Sequence, residues 1–304
     1  MVIATGFFDG VHIGHRAVIS TLCRIARERG EQSMVVTFWP HPRTVLQQDA
    51  AELRLLTSLE EKKRMLYGLG VDRIEVIGFT HGFSRLTAEE FIRDYLIGKF
   101  GATTLVLGYD HRLGGGPPMS REELECLARR LGLETFRLAE EDFDGMAVSS
   151  TAIRKSLSAG DVERANTMLG YRYSLHGVVV SGNRIGRELG FPTANMELYE
   201  PLKLIPGDGV YAVYADVLGK KYAGMTNIGC RPTVSAVSSD VLQAPVFKRT
   251  IETNIFGFSS DIYGLDITLE FLSRIRGEIR FGSMEELRKQ LAVDRAVVEE
   301  LIEC

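Results

Sequence analysis

Gly6-Phe7-Phe8-Asp9-Gly10-Val11-His12-Ile13-Gly14-His15 is a glycine-rich turn between a short apolar run, Val2-Ile3-Ala4, and a helical pattern that begins near His15. Backbone N–H groups at a helix start attract phosphate, and glycine lets a ligand approach the main chain closely. Two imidazoles beside such a turn can donate hydrogen bonds to a nucleotide's phosphates. His-x-Gly-His after a first strand therefore points to nucleotidyl transfer, meaning attack on the α-phosphate of a nucleoside triphosphate. The same residues would also serve as a metal pair or as plain turn residues. Position favours the phosphate reading, because an open parallel sheet binds ligands at the carboxyl ends of its strands.

Outward from the turn, apolar runs at 2–5, 34–38, 74–77 and 104–107 alternate with helical patterns near 15–29, 58–69, 87–99 and 120–131. A further helical piece covers 151–168. Ser58 with Glu61, Thr87 with Glu90 and Ser120 with Glu123 have the spacing of capping boxes. Such alternation implies a parallel, Rossmann-like sheet wrapped by helices. From Tyr173 onward short β-rich runs dominate, at 175–180, 210–217, 222–227, 250–256 and 265–271, with Gly and Pro between them. Only 283–302 then reads as helix, opened by Ser283 with Glu286. Strands followed by one helix suggest a small β-barrel with a terminal helix. The expected fold is α/β plus β, with domains 1–170 and 171–304.

A chain of 304 residues, 45% hydrophobic and 25% charged, suits two globular domains. A net charge of −4 argues against a general nucleic-acid binder. No apolar run approaches membrane-spanning length and no export signal is visible, so neither a nucleic-acid nor a membrane partner is expected. Cys23, Cys126, Cys230 and Cys304 are scattered without a C-x-x-C and read as reduced thiols of a cytoplasmic protein. Nothing in the sequence sets an oligomeric state.

Three further segments of the first half can join the histidines. Pro40-His41-Pro42 follows the second strand, and its prolines hold His41 near the same sheet edge or in an exposed rigid turn. Asp110 and Arg112, after a later strand, can recognise a polar substrate edge or belong to a Gly-rich surface loop. Ser149-Ser150-Thr151 opens a helix with hydroxyls that cap it or donate to phosphate, and Arg154 adds a guanidinium one turn on. Asp9 reads as a residue that shapes the turn, with substrate contact as the alternative.

Together these pieces resemble the adenylyltransferase module of the bacterial bifunctional riboflavin kinase/FMN adenylyltransferase (FAD synthetase) family. That family carries G-x-F-D-G-x-H-x-G-H, a P-H-P loop, a G-x-D/N loop and S-S-T-x-I-R in this order. The resemblance implies that Gly6, Phe8, His12, Gly14 and His15 contact ATP, with both histidines at its phosphates. It implies that Ser150, Thr151 and Arg154 bind the triphosphate from the other side. It also implies that flavin lies against His41, Asp110 and Arg112. No general base is needed here, because the attacking group would be the phosphate of FMN, already anionic at neutral pH.

In the second half the densest motif runs from Gly182 to Asn195. Glycines 182, 186 and 190 around Arg184 and Arg187 make a loop able to cover phosphates. Phe191-Pro192 then fixes the chain before Thr193 and Asn195, whose side chains point the same way in an extended segment and can help hold Mg²⁺ bound to ATP. Glu252 lies in a β-like run, where a lone Glu usually faces solvent, and Arg274-Ile275-Arg276-Gly277-Glu278 reads as a charged surface turn. This half resembles the family's riboflavin kinase module in G-R-x-L-G-F-P-T-A-N, N-I-G-x-R-P-T, E-T-x-I, D-x-Y-G and F-x-x-R-I-R. The resemblance implies a six-stranded Greek-key barrel and Glu252 as general base for the riboflavin 5′-hydroxyl. It implies an ATP site of Gly182, Gly186, Arg187, Gly190, Pro192, Thr193 and Asn195, the last two at Mg²⁺, and Arg276 near flavin.

The expected activity is conversion of riboflavin and ATP to FMN, then of FMN and ATP to FAD. A kinase with a degenerate adenylyltransferase domain and a flavin-binding regulator with dead sites stand as rivals.

Overall fold

The computed structural model describes residues 1–46, 53–108, 113–115, 119–138, 148–182, 186, 189–232 and 247–303. The chain divides into two compact units, Met1–Ala152 and Ile153–Cys304.

The first unit is a parallel sheet in the order β3-β2-β1-β4-β5. Its strands are β1 (Val2–Thr5), β2 (Ser33–Trp39), β3 (Arg73–Gly78), β4 (Thr104–Leu107) and β5 (Glu134–Arg137). Between them run α1 (Ile13–Arg29), a short α2 (Pro42–Leu46), α3 (Leu59–Gly68), α4 (Ala88–Glu90) continuing as a wider π-helical Phe91–Lys99, and α5 (Arg121–Arg130). Both faces of the sheet are covered, which is why its central strands are apolar throughout. Ile3, Met34 and Leu105 pack with Phe91, Leu96 and Leu127 on one face. Val2, Ala4, Val35 and Val106 pack with Ile19, Leu22 and Ala26 of α1 on the other. Each such fully buried aliphatic side chain contributes about 1.5–3 kcal/mol. The strand order turns back between β1 and β4, so the turn that leaves β1 sits at the topological switch point, where such sheets bind ligands.

The three capping boxes expected in this half form, at Ser58, Thr87 and Ser120. β5 was not anticipated, because Glu134-Thr135-Phe136-Arg137 carries little apolar signal of its own. The expected single piece at 151–168 is two helices, α6 (Ser150–Ser158) and α7 (Val162–Leu169), parted at Gly160, whose φ is +82°. The division between the two compact units falls inside α6. α7 is tied to the barrel, since Asn166 donates to the Phe271 carbonyl and accepts from the Tyr173 amide.

The second unit is a closed antiparallel barrel in the order β10-β7-β6-β11-β8-β9. Its strands are β6 (Ser174–Val180), β7 (Ala194–Leu198), β8 (Gly209–Val217), β9 (Lys220–Pro232), β10 (Phe247–Ile255) and β11 (Asp266–Arg276), followed by α8 (Met284–Glu303). β7 gave no β-rich run, because only Met196 of its five residues is buried. The expected turn at 274–278 is corrected: Arg274, Ile275 and Arg276 end β11, past two register shifts. At the start of α8, Ser283 accepts from the Glu286 amide, but the Glu286 carboxylate reaches the Gly282 amide instead of completing the box.

Candidate active sites

The turn after β1 is strained and heavily fastened. Phe8 and Val11 have φ of +50° and +37°, values that cost a non-glycine residue about 1–3 kcal/mol each. The buried Asp9 carboxylate offsets this by accepting from the Leu56 amide and from the amide and hydroxyl of Thr57. Gly10 N–H donates to the Thr57 hydroxyl at 3.1 Å. Asp9 thus shapes the turn, as its sequence setting suggested.

His12 is the N-cap of α1: its Nδ1 accepts from the His15 amide at 3.3 Å. That bond places the ring proton on Nε2, which becomes a donor. The His15 ring stacks on the His12 ring with centroids 3.6 Å apart and planes 18° from parallel, and Phe8 meets His15 edge-on. Among the described residues His15 Nδ1 is buried with no hydrogen-bond partner. Burial, then electrostatic interaction with His12 and with the Lys62 ammonium, hold the His15 pKa well below its ordinary 6.5, so this ring stays neutral at pH 7. A β-carbon at Gly14 would lie 3.4 Å from the His12 ring, and one at Gly6 would lie 3.1 Å from the Phe8 ring. The two glycines leave those rings their space.

Two other expected segments reach the same turn. The His41 ring contacts Phe7 edge-on at 3.9 Å between centroids. The Ser150 hydroxyl donates to the Asp9 carbonyl at 2.9 Å, which brings the start of α6 to the turn. Thr151 is exposed beside it, and Arg154 follows one turn further along α6. Asp110 and Arg112 lie outside the described residues.

Sequence reasoning missed Lys62. It is buried in α3, donates to the Phe7 carbonyl at 2.8 Å and sits 4.0 Å over the Phe7 ring. Burial pushes its pKa down to about 8, against the opposing pull of Asp9. A signal was available: Lys62 falls four residues before the buried Leu66, on the apolar stripe of an otherwise charged helix.

The barrel site arises from strand register. β7 pairs with β10 so that Asn195 is opposite Glu252, and β9 places Asn227 on the other side of Glu252. The next pair in register, Thr253 and Thr226, is wholly buried and hydrogen-bonded through its hydroxyls at 2.8 Å. Side chains alternate along a strand, so Glu252 faces away from that interior pair. A β-carbon at Gly182 would lie 2.2 Å from Asn195 Nδ2, so glycine alone leaves room for that amide. A β-carbon at Gly186 would lie 2.3 Å from the Phe191 carbonyl and 3.3 Å from the Thr193 hydroxyl. Gly190 has φ +83°, which favours glycine. Pro192 is held by Asn254, whose Nδ2 donates to its carbonyl at 2.7 Å. Arg187 lies outside the described residues. The Arg276 guanidinium is engaged by the buried Asp294 of α8, at 2.7 Å at its shortest, and by the Gly277 carbonyl.

Thr193 and Asn195 each lie against a glycine of this loop, and a hydroxyl and an amide oxygen are donors that suit Mg²⁺, a hard cation that takes oxygen ligands and leaves most of its shell to phosphate and water. Among the described residues Cys23, Cys126 and Cys230 are free thiols.

The FAD synthetase family model matches residues 1–152 and the riboflavin kinase model matches residues 169–302. The chain is 36% identical to a bifunctional riboflavin kinase/FMN adenylyltransferase of Bacillus subtilis, over 97% of this chain and 90% of the relative. The chain belongs to the bifunctional riboflavin kinase/FMN adenylyltransferase family. A member from Escherichia coli K12 is also 36% identical, over 98% of this chain and 92% of its own. A solved structure from Streptococcus pneumoniae, described as a macrolide-efflux protein, shares 30% identity and a TM-score of 0.87, covering 98% of this chain and 93% of that one. In this family member no helix among the described residues is long and apolar enough to cross a membrane.

Proposed function

We propose that this chain is a transferase that makes FAD from riboflavin in two ATP-dependent steps, kinase chemistry in the barrel and adenylyl transfer in the sheet domain. One observation carries the reading: both catalytic modules are present in tandem, each on its own fold, in a chain that spans at least 90% of its bifunctional relatives.

In the barrel, the riboflavin 5′-hydroxyl attacks the γ-phosphorus of ATP, ADP leaves, and the proton passes to the Glu252 carboxylate. An alcohol is a weak nucleophile at neutral pH, so a positioned base matters. Thr193 and Asn195 would hold Mg²⁺, which neutralises charge on the transferring phosphates. Gly182, Gly186 and Gly190 let the chain close over the nucleotide, Arg187 adds a cation, and Asn254 steadies Pro192. Arg276 can reach flavin only by giving up part of its pairing with Asp294.

In the sheet domain, a phosphate oxygen of FMN attacks the α-phosphorus of ATP. The bond to the bridging oxygen breaks and pyrophosphate departs with its electron pair. The residues align the reactants and meet the growing charge. His12 donates through Nε2, His15 lies stacked beside it, and the amides at the start of α1 face the same turn. Ser150, Thr151 and Arg154 approach from α6, while His41, Asp110 and Arg112 take the flavin end.

Chromatography of a mixture of riboflavin, ATP and Mg²⁺ with the protein tests this. FMN followed by FAD is expected. FMN alone would leave only the kinase, and no conversion would defeat the reading.

A further inference from the structure

Lys62 is buried at the foot of the histidine turn and has no role in the mechanism above. Its ammonium donates to the Phe7 carbonyl at 2.8 Å and approaches the Thr37 hydroxyl at 3.4 Å. Among the described residues no carboxylate lies within ion-pair distance of it. The buried Asp9 carboxylate of the same turn, itself tied to Leu56 and Thr57, pulls on this charge from outside ion-pair distance, and an ammonium so buried remains costly. The hydrogen bond alone does not account for it, because the Phe7 carbonyl already accepts from the Thr37 hydroxyl at 3.3 Å. The carbonyl it grips immediately precedes Phe8, whose φ of +50° begins the strained turn.

We propose that Lys62 is a positioning residue for adenylyl transfer, its buried charge holding the Phe7–Phe8 peptide and adding to the positive field that receives the departing pyrophosphate. This rests on the adenylyltransferase reading of the sheet domain. Charge on pyrophosphate grows as the α-phosphorus bond breaks, so a fixed cation beneath the turn favours the transition state over bound ATP.

The test uses the full chain carrying Lys62→Met or Lys62→Gln, with FMN and ATP as substrates. Both variants are expected to lose at least tenfold in kcat for FAD formation, with KM for FMN within threefold of the parent. The inhibition constant for pyrophosphate should rise by a similar factor, a change that a merely structural role would not produce. A cooperative thermal transition should remain, since each variant keeps the side chain's bulk while removing a buried charge. Riboflavin kinase turnover should be unaffected. Parent-like kcat in either variant, or unchanged pyrophosphate inhibition, would overturn the proposal. So would loss of the thermal transition in both, which would make Lys62 a residue of the fold alone. A parent protein that makes FMN but no FAD would instead defeat the underlying reading.

Discussion

The two sites are assembled in opposite ways. In the sheet domain the proposed phosphate-binding histidines lie in one continuous stretch, Gly6 to His15, and residues distant in sequence fasten it: Leu56 and Thr57 on Asp9, Lys62 on Phe7, Ser150 on the Asp9 carbonyl. In the barrel the proposed working groups are far apart in sequence, and Glu252 meets Asn195 only because β7 and β10 pair in that register. The contrast follows the chemistry. Adenylyl transfer starts from an anionic nucleophile and needs aligned donors, which one helix start can supply. Phosphorylation of an alcohol needs a base beside a nucleotide site, and that takes two strands.

The sharpest way to break this comparison is Glu252→Gln. Kinase turnover should fall about 10²–10⁴-fold, while supplied FMN is still adenylylated at the parent rate. Normal FMN production by the variant would remove Glu252 from its role. His15→Ala should do the reverse, lowering FAD formation by roughly 10–1000-fold and sparing the kinase; equal loss of both activities would point to a damaged fold. Asp9→Ala strips the buried partners from Leu56 and Thr57 and should destabilise the sheet domain by about 1–3 kcal/mol, measurable by denaturant unfolding with the barrel transition unmoved.

The smallest effect is the pH dependence of sheet-domain stability. His15 resists protonation when folded, so below its ordinary 6.5 the unfolded chain binds the extra proton. Stability should therefore be level above about pH 6.5 and fall below it, by at most about 1.4 kcal/mol per pH unit from this group. The His15→Ala variant should lose that part of the slope; an unchanged slope would assign the effect elsewhere.

The same contrast explains what the sequence disclosed. Contiguous signals were readable: the His-x-Gly-His turn, the capping boxes at Ser58, Thr87 and Ser120, and the alternation of strand and helix. Features that depend on distant partners were not. β7 has one buried residue, so it exists as a strand through its neighbours β6 and β10. β5 likewise completes a sheet edge with few apolar residues of its own. Arg274 and Arg276 looked like a surface turn because their partners, the Asp208 carbonyl and the Asp294 carboxylate, lie elsewhere in the chain. Lys62 was hidden for the opposite reason, since a lysine on a charged helix is ordinarily solvated and only burial beneath the turn marks it.

The facing of Glu252 and Asn195 across β10 and β7, with Thr253 turned to the interior, makes the barrel sensitive to parity. One codon inserted between Thr250 and Glu252 would send the carboxylate inward and a hydroxyl outward, whereas two would restore the original facing. Odd and even length changes at that point should thus divide cleanly into silent and active kinases, with the sheet domain indifferent to both.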